Sequence, residues 1–83
     1  MDPLLLIERL GVQLREMRLQ RGLTLIELSA RAGVTRQKIS EMEKGKPTIS
    51  MFLYAKVISA MTSELRVVPA RRPTFEELRE VFK

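Results

Sequence analysis

The stretch GLTLIELSARAGVTRQKISEMEKG, residues 22–45, decides the fold. Within it, Thr24 followed three residues later by Glu27 is typical of a capping box, in which a hydroxyl and a carboxylate bind the first free N–H groups of a helix. Gly33 favours the left-handed backbone that ends a helix, and Thr35 is a hydroxyl residue of the kind that caps the next one. The stretch therefore predicts two short helices joined by a tight glycine turn.

The residues on either side of this stretch predict one helix before it and one after it. Asp2 and Pro3 suit the N-cap and the first position of a helix, and Ser50 suits the cap of the fourth helix. Gly11 costs the first helix about 1 kcal/mol relative to alanine, so we expect its first turns to be loosely held. The apolar residues expected to face inward recur at helical spacing: Ile7, Leu10, Leu14, Met17, Leu25, Leu28, Ala32, Ile39, Met42, Leu53, Val57, Ile58 and Met61.

The pattern changes after Ser63. Residues 64–68 alternate polar and apolar side chains and are rich in β-branched ones, which predicts a short strand. A basic linker bounded by Pro69 and Pro73 follows, and Thr74 with Glu77 predicts the cap of a last short helix. We therefore expect an all-α fold of four to five helices with a short C-terminal strand. Residues 1–62 would form the main domain, and residues 63–83 a C-terminal extension.

Composition favours an anionic partner and excludes several kinds of site. The 83 residues carry a net charge of +5 with a pI near 10.2, and the excess of basic side chains is densest in residues 31–46. This favours nucleic acid, although a solvated basic face is the alternative. No cysteine or histidine is present, which excludes disulfides, thiolate nucleophiles and the usual zinc ligands. With a short apolar run at residues 4–7 and an acidic start, we expect a cytoplasmic protein and no membrane partner.

The third helix has the residue types of a helix that reads DNA. Ile39 and Met42 anchor it from one side, which leaves its other face free to enter a major groove about 12 Å wide. Arginine pairs with guanine, glutamine with adenine, and glutamate accepts from cytosine. The side chains of these types in the exposed N-terminal part are Arg36, Gln37, Ser40 and Glu41. The same face is also ordinary for any soluble helix, so the pattern alone leaves both interpretations open.

The short motifs GLT, EL, AGVT and IS, and then a single E and a single G, occur in this order within residues 22–45 and are followed by Pro47-Thr48-Ile49. In the order and spacing of these motifs, residues 9–62 resemble the Cro/phage-repressor (XRE-type) helix-turn-helix family of prokaryotic transcription regulators. The resemblance implies that the base-reading residues are Arg36, Gln37, Ser40 and Glu41. It implies phosphate contacts by Thr24, Thr35, Lys38, Lys44 and Lys46. It also implies a largely buried salt bridge between Arg18 and Glu43.

The C-terminal extension departs from the phage-repressor pattern. Those repressors continue with a fifth helix that dimerises, whereas this chain offers the predicted strand after helix four. That arrangement resembles the HipB-like antitoxin regulators, in which such a strand pairs with its mate across the dimer. The resemblance implies a homodimer held by Leu65, Val67 and Val68, because pairing with a second copy satisfies an otherwise unpaired strand edge. An intramolecular or disordered tail is the alternative.

These features favour a repressor that binds double-stranded DNA at a palindromic operator as a homodimer. A narrower alternative is an antitoxin that autoregulates its operon and binds a toxin, or another protein, through residues 64–83. An alternative from another class is a protein-interaction module without specific DNA reading, which would use Phe75, Leu78, Val81 and Phe82 as a helix-in-groove ligand. An enzyme is not expected, because no nucleophile–base pair or phosphate-binding loop is found. We expect no cofactor and no metal.

Overall fold

The structure, a computed structural model, describes residues 2–69. Its element order is α1 (Pro3–Gln20), α2 (Leu25–Ala32), α3 (Arg36–Glu43) and α4 (Met51–Ala60). Residues 2–69 contain these four helices and no strand, so the all-α prediction is confirmed. The last predicted helix, with Phe75, Leu78, Val81 and Phe82, lies outside the described residues.

Local hydrogen bonds set the start of each helix where the sequence predicts it. Asp2 accepts from the Leu4 N–H at 3.1 Å, and Pro3 occupies the first position of α1. The hydroxyls of Thr24, Thr35 and Ser50 each accept from the backbone N–H three residues later, at 3.0, 3.2 and 3.3 Å. Such caps satisfy backbone donors that have no partner inside the helix. The four N-termini are therefore fixed by contacts within a few residues of sequence.

Left-handed glycines end the first three helices. Gly22, Gly33 and Gly45 have φ angles of +69°, +69° and +81°, a region where a side chain is strained. Gly33 forms the turn between α2 and α3, and its N–H donates to the Ser29 carbonyl at 3.0 Å. The turn is therefore short, and it brings α3 directly against α2.

One core lies between the helices. α1 packs on α3, and α2 packs on both α3 and α4. The side chains of Leu28, Ile39, Met42, Val57 and Met61 are completely inaccessible or nearly so. Other buried apolar residues complete the core: Leu14, Leu23, Ala32, Val34, Tyr54 and Ile58.

The sequence did not predict that Tyr54 would lie in this core. Burial raises the pKa of its phenol, and its hydroxyl has no hydrogen-bond partner in the described part of the chain.

Gly11 has a packing role that the sequence did not predict. It is buried where α1 approaches α3. A Cβ atom at this position would lie 2.5 Å from the carbonyl oxygen of Met42 and 2.8 Å from that of Glu43. The glycine therefore allows two helix backbones to touch, and the loss of helix propensity is the cost of that packing. No helix within residues 2–69 is long and apolar enough to cross a membrane.

Candidate nucleic-acid interface

The third helix is attached to the protein along one side only. Ile39 is 1% exposed and Met42 is fully buried, and both pack into the core. On the opposite side lies the reading face, which we define as Arg36, Gln37, Ser40 and Glu41. Arg36 and Gln37 are exposed, whereas Ser40 and Glu41 are half-buried. The structure thus presents the predicted base-reading residues on one side of α3, with its N-terminal half most open.

A buried ion pair fixes the other end of α3 to α1. Arg18 donates from Nε to Glu43 Oε2 at 2.7 Å and from Nη2 to Glu43 Oε1 at 3.1 Å. Its remaining Nη1 donates to the Leu23 carbonyl oxygen at 2.9 Å. The side chains of the pair are 10% and 7% exposed. This is the pair that the resemblance implied, and its parallel two-point geometry sets the orientation of α3 as well as its position.

The two threonine caps place a hydroxyl group at the helix starts. A hydroxyl has one donor and two acceptor sites, so Thr24 and Thr35 can accept backbone hydrogen bonds and still donate their O–H, which in Thr24 is directed to Glu27. At α2 the cap is reciprocal, because Glu27 Oε1 accepts from the Thr24 N–H at 2.8 Å. That bond, together with the one from the Thr24 side chain, holds the pKa of Glu27 below its ordinary value. Both helix starts therefore combine a hydroxyl with free N–H groups, which suits a phosphate.

The start of α2 lies beside the reading face. Thr24 and Arg36 line the same shallow groove, together with Leu25 and Ile26. Ile26 is 64% exposed. A predicted phosphate contact and a predicted base contact are thus placed side by side, on one surface of the protein. Lys44 and Lys46 are exposed at the other end of α3.

The carboxylate of Glu41 is held between two lysines. Lys38 Nζ lies 3.7 Å from Glu41 Oε1, and Lys46 Nζ lies 3.5 Å from Glu41 Oε2. The Glu41 side chain is 20% exposed, whereas each of the two lysine side chains is about half exposed. We call these three residues the Glu41 cluster. The resemblance assigned Glu41 to base reading and both lysines to phosphate, whereas the three side chains contact each other in the free protein.

Two basic residues that the sequence did not single out, Lys56 and Arg21, connect the helices to the turn before α3 and to the end of α4. Lys56 of α4 donates to the Gly33 carbonyl at 3.3 Å and lies 5.4 Å from the Phe52 ring centre, so it supports the turn before α3. Arg21 donates to the Met61 carbonyl at 2.7 Å and to the Ser63 hydroxyl at 3.3 Å, which fixes the chain as it leaves α4. Their hydrogen-bond partners lie 23 to 42 residues away along the chain, so no local pattern could reveal these bonds.

Residues 64–69 extend from α4 without helix or strand. The exposed fractions of Leu65, Val67 and Val68 are 48%, 98% and 68%. Leu65 lines a groove on α4 with Met51 and Ile58. A strand that forms by pairing with a second copy has no partner in a single chain, so the predicted pairing stays a prediction.

Comparisons with known proteins agree on one family. The family described as "Helix-turn-helix domain" matches residues 9–75. An uncharacterized HTH-type transcriptional regulator of Methanothermobacter thermautotrophicus is 43% identical over 51 residues, which are 61% of this chain and 74% of the relative. The crystal structure of the clp gene regulator ClgR from C. glutamicum is similar with a TM-score of 0.66 and 37% identity, over 72% of this chain and 77% of that one.

Proposed function

Because the chain belongs to the helix-turn-helix domain family and is a DNA-binding transcriptional regulator, we propose that it acts as a cytoplasmic repressor. In this proposal two copies bind an inverted-repeat operator and exclude other proteins from it. The observation that supports it most directly is the one-sided attachment of α3. Arg36 and Gln37 are left open to a groove, while the opposite side of the helix is fixed in the core.

The chemistry of the exposed side supports this assignment. Arg36 has a planar donor pair that matches the two acceptors of guanine in the major groove, and the Gln37 amide matches adenine. Groups suited to phosphate lie at the start of α2 and at both ends of α3: the hydroxyls of Thr24 and Thr35, the free N–H groups at two helix starts, and the exposed ammonium of Lys44. Phosphate contacts would position the protein, and Arg36 with its neighbours would supply the sequence preference.

The first test is selection of bound sequences from random duplex DNA, repeated with Arg36→Ala at two salt concentrations. We expect the wild type to select an inverted repeat with half-sites about one helical turn, ~34–36 Å, apart. Arg36→Ala should relax the preference at one symmetric base pair, with a loss of about 1–3 kcal/mol of discrimination there. The preference at the remaining positions should persist.

Lys44→Ala is the matched control for that experiment. It removes one exposed cation from the opposite end of α3, and we expect it to weaken binding to all sequences equally and to lower the salt dependence by about 1 in log–log slope. Weak, sequence-blind binding by the wild type that disappears with salt would contradict the proposal, because phosphate attraction alone explains such binding.

The homodimer has its own support and its own test. The apolar side chains of Leu65, Val67 and Val68 continue from an apolar groove on α4, and apolar surface of this kind is typical of interaction sites. We expect Val67→Asp to raise the dimer dissociation constant at least about tenfold, because it places a charge in an apolar contact. Sedimentation equilibrium measures this change.

Val12→Asp is the matched control for the dimer. Val12 is 53% exposed on α1, so the same substitution there should leave the dimer intact. A wild type that stays monomeric at concentrations that saturate the operator would contradict the homodimer. The apolar residues of 64–69 would then be available to a different protein, as in the antitoxin alternative.

A further inference from the structure

We infer that Glu41 weakens nonspecific DNA binding by keeping Lys38 and Lys46 in ion pairs, which break when the protein binds its operator. The inference rests on the proposed function and assigns Glu41 a role beyond that of a base-reading residue. Three observations carry it: the position of the carboxylate, the shielding of one carboxylate oxygen that accepts no hydrogen bond, and the exposure of the two lysines.

The position of Glu41 places both lysines at the DNA-facing side. Glu41 follows Gln37 by one helical turn on the reading face, since residues four apart lie on the same side of a helix. Lys38 approaches one carboxylate oxygen at 3.7 Å, and Lys46, from the loop after α3, approaches the other at 3.5 Å. One negative charge thus offsets two positive charges at the surface that would meet phosphate.

The carboxylate is poorly satisfied by the protein itself. Glu41 Oε1 is shielded from solvent, yet it accepts no hydrogen bond from any group within residues 2–69. Leaving a buried acceptor without a donor is unfavourable, so this arrangement is not one that stability alone would favour. A donor supplied from outside would improve it, and the amino group of a cytosine in the major groove is such a donor.

The two lysines remain available for exchange. Each is about half exposed, and surface ion pairs of this kind are weak and screened by salt. A phosphate competes with Glu41 for each ammonium. On random DNA, a lysine that leaves Glu41 for a phosphate leaves the Glu41 carboxylate without a hydrogen-bond donor in the groove. At the operator, a base donates a hydrogen bond to Glu41, and both lysines can then bind phosphate. The cluster therefore lowers affinity for random DNA more than affinity for the operator.

The test compares Glu41→Gln with Glu16→Gln on a random-sequence duplex over a series of salt concentrations. Both changes remove one negative charge, but Glu16 lies exposed on α1 and forms neither of the ion pairs of the Glu41 cluster. We expect Glu41→Gln to bind random duplex roughly 3- to 30-fold more tightly than the wild type. Its log–log salt slope should be steeper by up to about 1.8 for each protomer, which corresponds to two additional phosphate contacts. Glu16→Gln should change both quantities much less.

A double-mutant cycle gives an independent readout. In the wild type, Lys38→Gln should weaken random-duplex binding less than Lys44→Gln does, because Lys38 is already occupied by Glu41. In the Glu41→Gln background, Lys38→Gln should cost as much as Lys44→Gln. Circular dichroism should show the wild-type helix content in every variant, because none of these side chains belongs to the buried core.

Two results would overturn the inference. If Glu41→Gln and Glu16→Gln raise random-duplex affinity equally, net charge alone is responsible. If Glu41→Gln leaves random-duplex affinity unchanged but relaxes one operator base pair, Glu41 reads a base and restrains nothing. Neither result touches the proposed function, which fails only if the wild type selects no operator. The random-duplex comparison does not require an operator, so the two failures are distinguishable.

Discussion

Arg18→Ala is expected to lower the free energy of unfolding by about 3–5 kcal/mol, because it leaves the charge of Glu43 buried without its partner. The same change also removes the donor to the Leu23 carbonyl, which joins the end of α1 to the start of α2. Small domains have a total free energy of unfolding of about 5–15 kcal/mol, so the loss is a large part of the whole. Urea denaturation followed by circular dichroism measures it.

Arg15→Ala is the matched control for this prediction. Arg15 lies one turn earlier on α1 and is exposed, so its removal should change the free energy of unfolding by no more than about 0.5 kcal/mol. The double variant Arg18→Met with Glu43→Leu should recover much of the loss, because an apolar pair leaves no buried charge. Equal stability of Arg18→Ala and Arg15→Ala would show that the ion pair contributes nothing to the fold.

Gly11→Val is expected to lower the free energy of unfolding by about 3 kcal/mol or more. The Cβ would meet the carbonyl oxygens of Met42 and Glu43 at 2.5 and 2.8 Å, and backbone atoms cannot move aside as the end of a side chain can. Gly11→Ala should also destabilise, by a smaller amount. A decrease in the free energy of unfolding for Gly11→Ala would be informative, because alanine in a helix is otherwise favoured over glycine by about 1 kcal/mol.

Gly22→Ala tests the effect of a left-handed backbone without the effect of close packing. A Cβ at Gly22 would have no heavy atom within 4 Å, but its φ angle is +69°. We therefore expect a cost of about 1–2 kcal/mol from backbone strain alone.

A stabilising effect of Gly11→Ala in thermal or urea unfolding would contradict the prediction for Gly11. It would mean that α1 and α3 can move apart without a loss of stability, and it would remove the packing role assigned to Gly11.

The local features of the fold could be predicted from the sequence. The caps at Asp2, Thr24, Thr35 and Ser50 are bonds to a backbone N–H two or three residues away, so a few letters of sequence contain everything that forms them. The same holds for the left-handed glycine at position 33. The fold class followed, because the apolar spacing gives each helix one inward face.

The features that depend on distant residues could not be predicted in the same way. The role of Gly11 depends on how α1 crosses α3, which no spacing within α1 reveals. In the Glu41 cluster, the pair with Lys38 was readable from the three-residue spacing of opposite charges. The approach of Lys46 was not, because it depends on the turn at Gly45. The salt bridge of Arg18 with Glu43 was expected only from the family resemblance.

The one-sided attachment of α3 has an evolutionary consequence. Its fixed contacts come from Ile39, Met42 and Glu43, whereas Arg36 and Gln37 contribute little to the core. Substitutions at these two open positions are nearly free of folding cost, so new operator preferences can arise by drift and selection without a compensating change elsewhere. Gene duplicates of this protein could therefore diverge in their target promoters while the scaffold stays constant.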